Sequence, residues 1–114
     1  MTVYPDGSIH KSENFDTYGS MHAVERMKGF IDDLPNNLIV LIAVYDSANP
    51  ATVRKVAGVE VALSSLGAVP PVMPLIREPW LLVGYTGPVK PTWIQQRHGA
   101  RNMGPVTIWT EVVL

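Results

Sequence analysis

The segment Trp80-Leu81-Leu82-Val83-Gly84-Tyr85-Thr86-Gly87 decides the fold of this chain. It follows Arg77-Glu78-Pro79, and proline, which has no N–H to donate, is tolerated at the first position of a strand. A tryptophan and three aliphatic residues then indicate a buried β-strand. Gly84 interrupts the row of side chains, so a ligand or another stretch of backbone can come close there. The segment therefore predicts a buried strand that is open at Gly84.

The run Leu38-Ile39-Val40-Leu41-Ile42-Ala43-Val44-Tyr45 supplies the strand that pairs with it. An unbroken apolar run rich in β-branched residues is typical of a strand that is covered on both faces. We expect this to be the central strand, with Trp80–Val83 pairing beside it. Helices, or a helix and a second sheet, are expected on its two sides, and Asn36-Asn37 is expected to form the preceding turn.

Two helices are predicted. The first starts at Ser20, a good N-cap, and ends at Pro35 after about four turns. Its apolar residues recur every three or four positions: Met21, Val24, Met27, Ile31 and Leu34. The second helix is predicted from about Ala51 to Leu66, weakened at Gly58 and ended by Gly67 in a left-handed conformation.

The remaining segments give weaker signals. Thr2–Phe15 predicts a hairpin around a turn at Tyr4-Pro5-Asp6-Gly7-Ser8, with the first arm as an edge strand. Ala68–Pro79 is rich in proline and predicts an extended loop. Thr92–Arg97 is expected to form a short turn of helix, and Val106–Leu114 is expected to close the chain as a strand.

The composition excludes several classes of protein. The chain has 114 residues, enough for a single domain with a core of its own. It has no cysteine, which excludes a disulfide framework, a zinc–thiolate site and a cysteine nucleophile. A net charge of −1 without a basic cluster excludes the footprint of a nucleic-acid binder. Charged residues make up 17%, below the roughly 25% of an average domain, and this favours a chain that meets partners.

The sequence predicts no enzyme, no cofactor and no metal site. His10, His22 and His98 lack the spacing of metal ligands, and no nucleophile-elbow or phosphate-binding pattern is present. Catalysis would need a pocket that joins His98 to a carboxylate such as Asp16 or Asp46. No membrane span and no signal peptide are expected, because no apolar run approaches the required length.

The candidate contact residues lie in the polar region near the end of the chain. They are Trp93, Arg97, His98 and Arg101. Trp93 attracts attention because prolines flank its loop, and exposed tryptophans are favoured in interfaces and sugar sites. The alternative is that Trp93 packs over the end of the core. The sequence leaves both interpretations open.

Several short motifs, in this order, resemble the interleukin-like EMT inducer (ILEI) domain family. They are Phe15-Asp16-Thr17-Tyr18-Gly19, the first predicted helix, the run from Leu38 to Asp46 that ends in Tyr45-Asp46, Leu66-Gly67, Arg77-Glu78-Pro79-Trp80 and Val83-Gly84-Tyr85-Thr86-Gly87. The resemblance covers most of the chain, from about Tyr4 to Leu114. It implies an α+β domain over residues 1–114, with a β-sandwich-like arrangement of two sheets and two main helices packed against them.

The resemblance also implies recognition without catalysis. The family includes secreted pancreatic-derived-factor-like proteins, the carbohydrate-binding stem domain of the glycosyltransferase that extends O-mannose glycans, and modules on bacteriophage virion and tail proteins. This chain lacks the cysteines of the secreted animal members, and it most resembles the cysteine-free bacterial and phage copies.

We therefore expect a non-enzymatic structural and recognition domain, a bacteriophage decoration or tail component. It is expected to dock on other virion proteins as part of an oligomeric assembly, after synthesis in the bacterial cytoplasm. No nucleic acid and no membrane are expected as partners. The alternative is a carbohydrate-binding module that recognises cell-surface sugars.

Overall fold

A computed structural model describes residues 1–15, 21–44, 58–69, 79–99, 107–108, 110 and 112. Its strands are β1 (Thr2–Val3), β2 (Ile9–Lys11), β3 (Ile39–Val44), β4 (Trp80–Tyr85) and β5 (Gln95–His98). Its helices are α1 (Met21–Asp32) and α2 (Val59–Ser64). The strands form one antiparallel sheet in the order β2-β1-β3-β4-β5. The fold is α+β, and a second sheet is not found among the described residues.

The two strands expected at the centre of the sheet do pair with each other. In the antiparallel register of β3 and β4, Val44 lies opposite Trp80, and Ile39 lies opposite Tyr85. Because side chains alternate along a strand, each strand has an inner and an outward set. The inner face of β3 and β4 is formed by Val40, Ile42, Val44, Trp80, Leu82 and Gly84.

Both described helices pack on the inner face. The buried apolar residues of α1 and α2 join Val40, Trp80 and Leu82 in one cluster. The helix members of this cluster are Val24, Met27, Ile31, Val59, Ala62 and Leu63. The three- to four-residue spacing of the α1 set is the periodicity that predicted this helix, and it places one apolar stripe against the sheet.

The open place at Gly84 is filled by backbone. A Cβ atom at Gly84 would lie 2.5 Å from the carbonyl oxygen of Leu66. The same oxygen accepts a hydrogen bond of 2.9 Å from the N–H of Tyr85. The segment that follows α2 therefore crosses β4 at the one position without a side chain. Of the two sequence-based alternatives for Gly84, close approach of another backbone is the one found.

The end of α2 also agrees with the sequence. Gly67 has φ 104, its N–H donates to the Ser64 carbonyl at 3.0 Å, and the Ala68 N–H donates to the Leu63 carbonyl at 3.4 Å. These two bonds form a Schellman motif, in which a left-handed residue ends a helix. The prediction of a left-handed cap at Gly67 is confirmed.

The start of this helix differs from the prediction. Gly58 has φ 82 and lies outside the helix, which begins at Val59. A left-handed residue cannot continue a right-handed helix, so a continuous helix through Gly58 is wrong. Residues 51–57 lie outside the described residues.

Thr86 forms hydrogen bonds with the loop between α1 and β3. Its hydroxyl accepts from the Leu38 N–H at 2.9 Å and donates to the Pro35 carbonyl at 2.8 Å. The backbone of Thr86 adds two bonds: its N–H donates to the Leu38 carbonyl at 3.0 Å, and its carbonyl accepts from the Asn37 N–H at 3.3 Å. Asn37, between the two anchored residues, has φ 67, as the predicted turn requires. Thr86 is 7% exposed, so its hydroxyl meets these groups away from water.

The N-terminal hairpin forms as predicted, around a turn with Gly7 at φ 90. The Asp6 carboxylate accepts from the hydroxyl of Ser8 at 2.6 Å and from its N–H at 2.8 Å. Both bonds lower the pKa of Asp6, and the bond from the Ser8 hydroxyl has the larger effect. At pH values above the ordinary pKa of an aspartate, these bonds therefore stabilise the turn fully. This stabilisation is lost as the pH falls through the lowered pKa of Asp6.

Three smaller predictions have different outcomes. The first arm of the hairpin, β1, lies between β2 and β3, so the prediction of β1 as the edge strand is wrong and β2 is the outer strand. The predicted helical turn at Thr92–Arg97 is also wrong, because Gln95–His98 pairs with β4 as a strand. Most of the predicted closing strand, Val106–Leu114, lies outside the described residues, as does the proposed N-cap Ser20.

We expect Gly84→Ala to destabilise the fold by about 1–3 kcal/mol, since the new methyl group pushes against backbone that cannot rotate away. Gly29→Ala is the matched control. A Cβ atom at Gly29 meets nothing within 4 Å, and Gly29 lies within α1. The control should stabilise the protein by about 0.5–1 kcal/mol, because alanine loses less backbone entropy in a helix. Urea unfolding of both variants checks this, and equal midpoints would contradict it.

We expect Thr86→Val to cost about 1–3 kcal/mol, because the shape is kept while the buried Leu38 N–H loses its acceptor. Thr86→Ser keeps the hydroxyl and removes one methyl group, so its cost should be smaller, about 1 kcal/mol. Thermal unfolding of the two variants measures the difference. A serine variant that is as unstable as the valine variant would assign the effect to packing rather than to the hydroxyl.

Candidate functional site

The structure does not gather the candidate contact residues on one surface. Arg97 and His98 are neighbours in β5, so their side chains point to opposite faces of the sheet. Arg97 lies opposite Leu81 and is exposed on the outward face. His98 lies opposite Trp80 on the inner face. Arg101 lies outside the described residues.

Trp93 packs against the protein. Its side chain is 7% exposed and meets the ring of Tyr85 edge-on, with centroids 5.6 Å apart and planes at 85°. The hydroxyl of Thr110 donates to the Trp93 carbonyl at 3.2 Å. Trp93 is therefore buried on the protein, as in the second interpretation, but its contact is with Tyr85 on the face of β4 opposite the core cluster and not with the end of that cluster. An exposed indole, on which the carbohydrate interpretation depended, is not found at this position.

Gln96 in β5 forms hydrogen bonds with the segment that follows α2. Its side-chain oxygen accepts from the Val69 N–H at 2.8 Å, and its amide nitrogen donates to the Val69 carbonyl at 2.8 Å. The amide thus pairs with a peptide group as a neighbouring strand would. Both bonds fix the orientation of the Gln96 amide. If the amide were flipped, its oxygen would face the Val69 carbonyl and its nitrogen would face the Val69 N–H.

This fixed amide determines the tautomer of His98. The amide nitrogen of Gln96 lies 2.9 Å from Nε2 of His98. Since that nitrogen is a donor, Nε2 of His98 accepts, and the ring proton of the neutral imidazole resides on Nδ1. The ring lies beside the indole of Trp80, with centroids 6.2 Å apart. His98 therefore has a structural role in positioning β5 over the core.

The outward face of the sheet is the broadest feature that could meet a partner. We use the name outward face for Val3, Ile39, Leu41, Ala43, Leu81, Val83, Tyr85, Gln95 and Arg97. Ala43 and Arg97 are exposed, Ile39 is buried, and the others are half-buried. Most of these side chains are apolar, whereas an antiparallel sheet that faces water usually alternates apolar and polar residues. The composition of this face fits a surface that is covered rather than open to water.

The remaining histidines and carboxylates of the described residues do not gather into a metal site. In the described part of the chain, no group of three or more His, Asp and Glu residues could hold a metal ion. His22 lies 3.6 Å from Glu25 on an exposed side of α1. His10 is half-buried, and its Nδ1 lies 3.0 Å from the buried Thr2 hydroxyl. Asp16 and Asp46 lie outside the described residues.

Sequence reasoning missed Gln96 and the outward face. The signal for the outward face was present, because the unbroken apolar run of β3 requires cover on two sides. The role of Gln96 had no signal, since the peptide that it binds is 27 positions away at Val69.

Of the described helices, none is long and apolar enough to span a membrane.

We expect Gln96→Glu to destabilise the protein by about 1–2 kcal/mol at neutral pH, because a carboxylate cannot donate to the Val69 carbonyl or to His98. Gln95→Glu is the matched control on the outward face, with an expected change within about 0.5 kcal/mol. Urea unfolding at pH 7 compares the two variants. Equal destabilisation would show that any charge in β5 is unfavourable and that the Gln96 bonds are not the cause.

Comparison with known families gives a match over most of the chain. The family model described as Interleukin-like EMT inducer matches residues 1–88. The matched segment contains both helices and strands β1 to β4. No curated protein matches the chain.

Proposed function

Because this chain belongs to the interleukin-like EMT inducer family, we propose that it is a non-enzymatic structural and recognition domain that docks on other protein chains. The particle in which we place it is a bacteriophage virion, as a decoration or tail component. The family match and the absence of cysteine are the starting points for this proposal. The proposal also includes a β-sandwich, in which a second sheet is added to the single sheet that the described strands form.

The outward face carries the proposal. Leu41 and Ala43 of β3 lie beside Leu81 and Val83 of β4, and none of the four is fully buried. Transfer of such apolar surface out of water favours association by roughly 25 cal/mol per Å². Arg97 at the margin adds a charge that a partner with a carboxylate can pair. An apolar sheet face with a polar margin matches the anatomy of a protein interface.

Carbohydrate binding has less support. The described tryptophans, Trp80 and Trp93, are 0% and 7% exposed, so neither offers a ring on which a sugar could stack. The carbohydrate-binding alternative stays a prediction, and a titration of tryptophan fluorescence with sugars would test it.

We expect Ala43→Arg to abolish docking, because a long charged side chain would stand in the middle of the outward face. Ala43 is exposed, so the fold should tolerate the change. Val61→Arg is the control, since Val61 is 73% exposed on α2, away from the sheet. Tagged versions are expressed in the host of the phage, and the particles are purified on a density gradient.

The wild-type chain and the Val61→Arg variant should migrate with the particles, and the Ala43→Arg variant should remain in the unbound fraction. Circular dichroism confirms that all three chains are folded. Absence of the wild-type chain from particles would refute the virion role. Equal migration of all three chains would refute docking through the outward face.

A further inference from the structure

The outer strand β2 offers a free edge. Among the described strands, β2 pairs with β1 alone, and its other side has no neighbour. Lys11 and the three residues that follow it, Ser12, Glu13 and Asn14, are all exposed. A strand edge presents unpaired N–H and C=O groups, which is a template for another strand.

The backbone of Lys11 shows which way this edge faces. The Lys11 N–H donates to the Thr2 hydroxyl at 3.2 Å, and the Lys11 carbonyl accepts from the same hydroxyl at 3.4 Å. The groups of Lys11 therefore point towards β1. β2 ends at Lys11, and continuing the alternation of an antiparallel strand by one residue predicts that the N–H and C=O of Ser12 point away from the sheet.

A bulge limits how far this edge is regular. Thr2 lies opposite Lys11, and Val3 lies opposite Ile9, so His10 is an extra residue in β2. A bulge bends the strand that contains it. Regular pairing with a further strand is therefore available from Lys11 onwards and not over Ile9 and His10.

The charges beside Ser12 make the edge complementary to itself. In an antiparallel pair of two copies centred on Ser12, Lys11 of each copy lies opposite Glu13 of the other. Opposite charges at such positions stabilise a strand pair, and like charges destabilise it. A pair centred on Lys11 or on Glu13 places two like charges opposite each other, so the charges also select the register.

We propose that Lys11–Glu13 is a self-association edge through which a second copy of this chain adds to the sheet, with Ser12 on the two-fold axis. The two Ser12 peptides exchange both backbone hydrogen bonds, and two Lys11–Glu13 pairs flank them. The dimer is isologous and joins two five-stranded sheets into one. Its short contact makes it weak and reversible. It does not depend on the proposed virion role or on the outward face.

A disulfide test uses the fact that the chain has no cysteine of its own. In the proposed register the two Ser12 Cα atoms lie about 5.5 Å apart. This distance is within the range that a disulfide bridges, so Ser12→Cys should form a covalent dimer under mild oxidation. Asn14→Cys is the matched control. Its two copies would be offset by four residues along the strands, roughly 13 Å, which is too far for a disulfide.

Non-reducing electrophoresis and sedimentation measure the outcome. Cross-linking of Ser12→Cys at least about tenfold faster than Asn14→Cys supports the proposal. Equal rates would indicate random collisions and would overturn it. The proposal would also be overturned if the wild-type chain is monomeric at every concentration and the Ser12→Cys variant does not cross-link. That result would leave the edge to an extended segment of another protein.

A charge exchange provides an independent test. Lys11→Glu places glutamate opposite Glu13 twice per dimer, and Glu13→Lys does the same with lysine, so each variant should dimerise at least about tenfold more weakly than the wild type. A mixture of the two variants should form a heterodimer, because each contact then joins opposite charges. The difference should shrink at high salt. Unchanged self-association of either variant, or a mixture that stays monomeric, would overturn the proposal.

Discussion

The fold depends on the contact between the carbonyl oxygen of Leu66 and the backbone of β4 at Gly84. Any side chain at Gly84 would lie against this oxygen, since even a Cβ atom would be 2.5 Å away. The hydrogen bond from Tyr85 to Leu66 holds the two segments together. Because Leu66 directly follows the last turn of α2, this single contact sets the height of the helix above the sheet. A Schellman end at Gly67 then turns the chain away from the strand.

Two polar side chains complete the connections that the backbone leaves unpaired. Thr86, just after β4, binds both sides of the link between α1 and β3. Gln96 in β5 binds the peptide of Val69 after α2. Thr86 pairs the buried N–H of Leu38, which would be costly if it stayed unpaired, whereas Gln96 pairs both groups of an exposed peptide. The helices are thus connected to the sheet by polar contacts as well as by the apolar core.

Local patterns predicted those elements whose cause lies within a few residues. The apolar run of β3, the stripe of α1, the turn at Gly7 and the cap at Gly67 each follow from spacing or from a backbone preference, and each is found. The same reasoning failed at Thr92–Arg97, where a strand forms and not a helical turn. Pairing with β4 decides the conformation of that segment, and a local pattern contains no information about a partner strand.

The candidate site shows the same division. The sequence by itself determined the residue types, the family, the absence of cysteine and an opening at Gly84 for either a ligand or a stretch of backbone. Only the tertiary structure decided that Trp93 is buried against Tyr85, and that Arg97 and His98 face opposite sides of one sheet. Only the sheet order made β2 the outer strand. The physical reason is that exposure and neighbours depend on which strands pair, and pairing brings together residues that are distant along the chain.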